Sequence, residues 1–430
     1  MSRWRPRVAF FTDSFHEVNG VALTSRQFQS YARRYGLPMF SCHAGPEDRT
    51  WSEGSVTRCE WRRSGARLAV EADLAFDLRF MRHRRRVREA LAAFDADLVH
   101  ITGPNDCSLL ALMVAHDLGL PVVASWHTNV HEYAGRRLES VLHAFPAAVR
   151  NGLGQASERI SLDLILLLYK AARIVFAPNP ELIRMLSDRL HRPAFLMSRG
   201  IDVQLFDPAK RCRSNGPFRI GFVGRLSREK GVDTFPQIEQ RLRAAGRINY
   251  EFVFVGDGSQ RGFLERNMLS ARCAGIKRGE ELAAEYANLD AFLFPSQTDT
   301  FGNVVLEALA SGVPVLTTAS GGPQYLIEAG DTGFVCPTPG DFAARVMELM
   351  DHPEQRAAMS SAAREQAIGR YSWDSVFAGV YRDYENLWPH TTGDVPVGMQ
   401  FSTTEYFEAP AAVSRRLRTS DAAGPRTGWC

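Results

Sequence analysis

Two carboxylates frame a turn in TDTFGNVVLEALASG, residues 298–312: Asp299 stands before Phe301-Gly302, and Glu307 stands after it. The preceding DAFLFPS is apolar and ends in Pro295-Ser296, which reads as a buried parallel strand. The residues after Gly302 are good helix formers and stop at Gly312. The segment is therefore strand, turn, helix. A helix N-terminus carries N–H groups without intrahelical partners and a partial positive charge, which suits a phosphate. Gly302 lets the backbone approach closely, and carboxylates accept hydrogen bonds from sugar hydroxyls. One site could hold a diphosphate at the helix end, a sugar on one side and a ribose on the other. The plainer alternative is a capping Asp299 and a solvated Glu307.

GFVGRLSREKGVDTF, 221–235, sets Arg225 and Lys230 in a short polar loop at the mouth of a strand. It is not the G-x-x-x-x-G-K-S/T phosphate loop. The chain has only four lysines (170, 210, 230, 277) among 51 basic residues, so arginine is its default cation. A lysine in this loop suggests a need for a compact ammonium, such as contact with a phosphate oxygen; a solvated loop is the alternative. In FTDSFHEVNGVALTSRQF, 11–28, Asn19-Gly20 again puts bare backbone before a helix, without G-x-G-x-x-G. In SWHTN, 125–129, His127 ends a strand, as either a cleft residue or a buried structural histidine.

Other acidic and basic runs read structurally. The D-x-D of FDADLV, 94–99, lies at the entry to a strand, the wrong end for a cleft, and marks a helix stop. Asn179-Pro180-Glu181 reads as an N-cap, a first-turn proline and an acidic N-terminal residue. RFMRHRRRVREALAAF, 79–94, has six arginines opposite a face of Phe80, Val87, Leu91 and Phe94. That is a solvated face or, more sharply, a patch for anionic lipid headgroups.

Positioning these loops requires strands and helices in alternation. Strand patterns lie in RVAFFTD, PMFSCHA, ADLVHIT, PVVASWH and RIVFAPN, then in FRIGFVG, YEFVFVG, DAFLFPS and VPVLTTA. Helical patterns such as 24–35, 106–118 and 181–190 fall between them. Such alternation predicts an α/β protein with doubly wound parallel sheets. A break near 199–217 separates two domains that face a cleft, where ligands meet the carboxyl ends of strands. We place the first domain at 1–202, completed by a helix at 373–388, the second at 203–372, and a loosely ordered tail at 389–430 with one short helix near 411–418.

The 430 residues allow two or three domains at roughly 100–200 residues each. A net charge of +3 gives no argument for nucleic acid. Seven scattered cysteines without C-x-x-C suggest neither a disulfide framework nor zinc. The oily run ISLDLILLLYKAARIVF is interrupted by Asp163, Lys170 and Arg173 and reads as a buried helix running into a strand. With no secretory signal pattern at the start, the expected location is cytoplasmic, or peripheral on the inner face of the membrane.

These pieces in this order resemble the retaining glycosyltransferases of family 4, with the GT-B fold of two Rossmann-like domains. The residues that carry the resemblance are GFVGRLSREKGVD, FVFVGDG, EYANLDAFLFPSQTDTFGNVVLEALASGVPVL, ASGGPQYLIEAGDTGFVCP, VNGVALTSR, HTN and RGIDVQLFDP, across about 7–388. Within the family, VNGVALTSR, HTNVHEY and DTFGNVVLEA are similar to the α-mannosyltransferase and sulfoquinovosyldiacylglycerol synthase-like subgroup, which acts on lipid-linked or glycolipid acceptors. The resemblance implies that Arg225 and Lys230 neutralise the diphosphate of a GDP- or UDP-linked donor. It implies that amides near Thr300, Phe301, Gly302, Asn303 and Val304 bind that diphosphate, and that Glu307 takes the ribose. Asp299, where many members have Glu, would hold sugar hydroxyls. Asn19 and Gly20 would close on the diphosphate, His127 would face the sugar, and the backbone at Gly275 and Ile276 would meet the base. No metal and no further cofactor is implied. A nucleotide-sugar 2-epimerase and a catalytically silent sugar-nucleotide binding protein are the alternatives.

Overall fold

The computed structural model describes residues 5–17, 20–64, 68–71, 74–127, 159–297, 299 and 301–387. Asn19, Thr300 and the tail, with its expected helix near 411–418, lie outside the described residues.

Each apolar run becomes a strand buried from both sides. The first sheet has eight strands in the spatial order Ala194–Leu196, Ile174–Ala177, Val122–Ser125, Leu98–Ile101, Val8–Thr12, Met39–Gly45, Val56–Arg62 and Arg49–Glu53. Seven run parallel, and Arg49–Glu53 is an antiparallel edge on Val56–Arg62. The second sheet has six parallel strands in the order Ala271–Gly275, Tyr250–Val255, Phe218–Val223, Ala291–Phe294, Val315–Thr317 and Gly333–Val335. In both, the chain starts at an inner strand, winds to one side, then returns and winds to the other. That is the doubly wound pattern, and the order reverses beside Val8–Thr12 in one lobe and beside Phe218–Val223 in the other.

Helices cover both faces. Val99, Leu110 and Leu186 bury one face of the first sheet. The other face is finished by helix Trp373–Leu387, which returns from the second lobe and packs Phe377 against Phe28 with ring centroids 4.7 Å apart. The two connections between lobes lie side by side. The amide of Ile201 donates to the carbonyl of Tyr371 at 2.7 Å, and Gly200 lies so close to the Trp373 ring that a Cβ would stand 2.3 Å from it.

The D-x-D is structural: Asp95 caps a helix in the left-handed region at φ 57°, and Asp97 accepts from the Arg7 amide at 2.7 Å. Asn179 caps its helix by accepting from the Leu182 amide at 2.9 Å. The oily helix at 159–169 is only half buried. Ile165, Leu166 and Tyr169 face the core, whereas Ile160, Leu164 and Leu167 are exposed, because apolar residues occupy both of its faces. Among the described residues no helix is long and apolar enough to cross a membrane.

Candidate active site

The carboxyl ends of Phe218–Val223 and Ala291–Phe294 are neighbours at the switch point of the second sheet. The loops that follow them are locked together. Gly231 holds φ 70°, and a Cβ there would lie 2.4 Å from the Pro295 carbonyl oxygen, so only glycine fits. Ser296 is buried and donates to the Glu229 carbonyl at 3.4 Å. Lys230 Nζ consequently meets both carboxylate oxygens of Asp299, at 2.7 and 2.9 Å. Arg225 stands more exposed in the same loop, 3.4 Å from Glu229.

Asp299 does not cap the following helix. Gly302, at φ 92°, is the residue before helix Asn303–Ala310, and no side chain caps it. The Asp299 carbonyl instead accepts from the Gly322 amide at 2.8 Å, which folds the Gly321-Gly322 loop beneath the turn. The amides of Asn303 and Val304 thus open the helix without intrahelical partners.

Glu307 is not a solvated residue either. It is half-buried, with the Tyr286 hydroxyl donating to it at 2.8 Å. Burial pushes its carboxyl up to about 7, although the Tyr286 hydrogen bond opposes that rise. At the carboxyl end of the edge strand Ala271–Gly275, Gly275 turns at φ 72° and the Gly256 amide donates to its carbonyl at 2.8 Å, with Ile276 exposed next to it.

The first lobe presents Gly20 at the start of helix Gly20–Arg34 and His127 at the end of Val122–Ser125. Arg199 links these to the second lobe. Its guanidinium donates to the His127 carbonyl at 3.0 Å, packs on Gly20, and sits 5.8 Å from the centroid of the Phe301 ring. Residues from both lobes, Gly20 and His127 on one side and Phe301 on the other, therefore meet around one cation.

His127 ends a buried chain of hydrogen bonds. Tyr384, on the returning helix, bonds His100 Nδ1; His100 Nε2 lies 2.9 Å from Ser125 Oγ, which lies 2.7 Å from His127 Nε2. Burial lowers both histidines to about 3, so each is neutral and has one donor and one acceptor nitrogen. If the Tyr384 hydroxyl donates inward, every link is satisfied in one direction. The reverse direction leaves its buried O–H without an acceptor among the described residues. Tyr384 thereby sets the His100 tautomer, with the proton on Nε2 toward Ser125, whose own hydroxyl has two acceptors in reach, His127 Nε2 and the Ile101 carbonyl at 3.4 Å.

Arg199, Tyr384, Ser125 and Tyr286 carry this geometry, and sequence reading assigned them no role. Arg199 had one available signal, its place inside RGIDVQLFDP. Tyr384 had none, because its partner His100 is 284 positions away.

A doubly wound pair of lobes with such groups at facing strand ends is the architecture of the GT-B glycosyltransferases. A glycosyltransferase from Rickettsia africae shares the fold, with a TM-score of 0.62 at 14% identity over 90% of this chain and 99% of that one. The profile described as Glycosyl transferases group 1 matches residues 204–366, and that of Glycosyltransferase Family 4 matches 55–205. GDP-mannose-dependent alpha-mannosyltransferase of Mycobacterium tuberculosis is 34% identical over 312 residues, 70% of this chain and 75% of the relative. Sulfoquinovosyl transferase SQD2 of Arabidopsis thaliana is 29% identical over 67% of this chain and 56% of its own length. The chain belongs to glycosyltransferase family 4, and it is a glycosyltransferase.

Proposed function

We propose that this enzyme moves a hexose from a nucleotide-diphosphate sugar to a hydroxyl acceptor, retains the α configuration, and stabilises the departing diphosphate with fixed protein charge instead of a divalent metal. The observation that carries the proposal is Lys230, held 2.7 Å from Asp299 beside the bare N-terminus of helix Asn303–Ala310. In the reaction the anomeric C–O bond breaks and its electron pair goes to a phosphate oxygen. The acceptor oxygen bonds the anomeric carbon on the same face, and its proton passes to that diphosphate oxygen. Charge thus grows where an ammonium, Arg225 and oriented amides are already in place, so little reorganisation is required. Lys230 has three N–H donors and can hold Asp299 and a phosphate oxygen together. Asp299 and His127 then face the sugar, Glu307 accepts from the ribose, and the base lies against Gly275 and Ile276.

Lys230→Ala is expected to lower turnover on the order of a hundredfold, as loss of one oxyanion donor does. Unchanged donor affinity and turnover would remove Lys230 from the site. Added Mg²⁺ or Mn²⁺ should leave the rate unaltered. The relatives' names favour GDP-mannose as donor. A thermal-shift panel of GDP-mannose, UDP-glucose and UDP-N-acetylglucosamine tests base and sugar together. An epimerase would consume donor without acceptor, and a silent binding protein would consume none.

The finer reading is a lipid-linked acceptor reached from the cytoplasmic membrane face. Two observations bear on it. Exposed Ile160, Leu164 and Leu167 lie on the helix whose Tyr169 hydroxyl donates to the Ser125 carbonyl at 2.9 Å, close to His127. In the arginine-rich segment 79–94, however, Arg82, Arg84, Arg85 and Arg86 are paired with Asp77, Asp117, Glu89 and Asp48, which reduces its pull on anionic lipid. Equal recovery with neutral and anionic liposomes would discard the charged-patch contact.

A further inference from the structure

A second constellation lies in the first lobe, and nothing in the transfer reaction uses it. His43 and Glu60 are register partners on the adjacent parallel strands Met39–Gly45 and Val56–Arg62, and both are fully buried. His16 reaches them from the loop ahead of helix Gly20–Arg34. Both ring nitrogens of His43 and Oε1 of Glu60 are buried without a hydrogen-bond partner. Buried polar groups are rarely left so, and an ion is one of the few explanations.

The spacing fits one. Nε2 of His16 and Nε2 of His43 each stand 3.5 Å from Glu60 Oε2, and the three ligand atoms lie within 4.8 Å of one another. A separation of 3.5 Å is too long for a strong hydrogen bond. A tetrahedral zinc with bonds of about 2.0–2.1 Å has ligand–ligand edges of roughly 3.3–3.4 Å. The site is also shaped for its carboxylate: a Cβ on Gly45 would lie 2.2 Å from Glu60 Oε1. The Phe15 ring stacks on His43 at 4.2 Å and covers it. Arg49 donates to Glu60 Oε2 at 2.8 and 3.2 Å. A carboxylate oxygen accepts in more than one direction, so Arg49 acts as an outer partner that orients the ligand.

We propose that His16, His43 and Glu60 form a three-ligand site for Zn²⁺ or a similar divalent transition metal, with the fourth position open beside the exposed His16. Two histidines and one carboxylate make a borderline nitrogen–oxygen set that suits zinc better than Mg²⁺ or Ca²⁺. The site stands in the carboxyl-end halves of Met39–Gly45 and Val56–Arg62, and His16 belongs to the loop that leads into Gly20. A cation here would tie the loop at His16 to the sheet.

The test uses the full chain, stripped of metal and titrated with Zn²⁺ against a chromophoric chelator. One equivalent should bind at sub-micromolar affinity, and Co²⁺ should give the visible absorption of a four- or five-coordinate centre. His16→Ala changes an exposed side chain and should fold normally, yet lower Zn²⁺ affinity at least tenfold. Glu60→Gln should lower it at least a hundredfold. Absence of saturable binding, or binding that is equal in the wild type and in both variants, overturns the proposal. Loss of activity in the variants with no zinc bound by the wild type also overturns it, and would mark the three residues as polar contacts for the acceptor. The readout is metal binding, so it stands or falls separately from the transfer mechanism.

Discussion

Replacing Glu307 by Gln should make the ligand-free enzyme more stable while making it a worse binder of nucleotide. The folded pKa of about 7 compares with an ordinary value of 4.5, and burial is the first cause of the rise. Between these two pH values the folded chain holds a proton that the unfolded chain has released. The slope of unfolding free energy with pH follows protons bound unfolded minus protons bound folded, so it is negative there, and stability falls as pH rises. The full difference amounts to about 3 kcal/mol above pH 7, reached only if the carboxylate stays shielded from water. Partial exposure lowers this to roughly 1–3 kcal/mol. A glutamine keeps an oxygen for the Tyr286 hydroxyl and carries no charge to desolvate. At pH 8 its melting temperature should rise by roughly 2–8 °C over wild type, and at pH 4 the two should coincide. Nucleotide binding at pH 8 should weaken about 10- to 100-fold, because ribose hydroxyls lose a charged acceptor worth roughly 1.5–3 kcal/mol. Wild-type donor affinity should likewise decline as pH falls through about 7. Differential scanning fluorimetry across pH, with calorimetric titration of the nucleotide, checks all three. A glutamine variant no more stable than wild type at pH 8, or one whose advantage persists unchanged at pH 4, would refute the reasoning.

Asp299→Asn should tighten binding of the bare nucleoside diphosphate several-fold, since Lys230 is released to phosphate, and should abolish the extra affinity given by the sugar; competition titrations with diphosphate and sugar-nucleotide check this. Tyr384→Phe removes the donor that sets the direction of the His100–Ser125–His127 chain. It should cost about 1–3 kcal/mol in stability, and it should lower kcat while leaving donor KM in place, as steady-state kinetics would record. Gly231→Ala forces a side chain into the left-handed region and against the Pro295 carbonyl, and should destabilise by roughly 2–4 kcal/mol, measured by urea unfolding.

The inner strands could be read because double burial writes them as unbroken apolar runs, VAFFT and AFLF among them. The edge elements could not. Ala271–Gly275 carries Arg272 and Cys273 and is only half buried, and the hairpin of Arg49–Glu53 and Val56–Arg62 mixes charge with aromatics. The turn at Phe301-Gly302 was readable because a glycine between a strand and a helix has few other meanings. What Asp299 does was not, since its partner Lys230 lies 69 positions earlier and meets it only through strand order. The same holds for Arg199, whose contacts to His127, Gly20 and Phe301 arise where the chain passes between lobes.

Set side by side, these interactions show that the charged side chains of the site are paired within the protein. Lys230 and Asp299 satisfy each other, Glu307 is partly protonated and bonded to Tyr286, and Arg199 is engaged with a carbonyl and a ring. Each of these charged side chains therefore has a partner within hydrogen-bonding or stacking reach, while the amides of Asn303 and Val304 have none within the helix. The loops stay in place because glycine contacts such as Gly231 on Pro295 fix the backbone. Under the proposed function a donor would exchange partners here: phosphate for carboxylate at Lys230, ribose for a proton at Glu307. The first exchange is nearly balanced in charge, whereas the second requires a proton to leave at pH values below about 7. Proton release on nucleotide binding, absent in Glu307→Gln, is the signature that separates this exchange from simple filling of an open cleft.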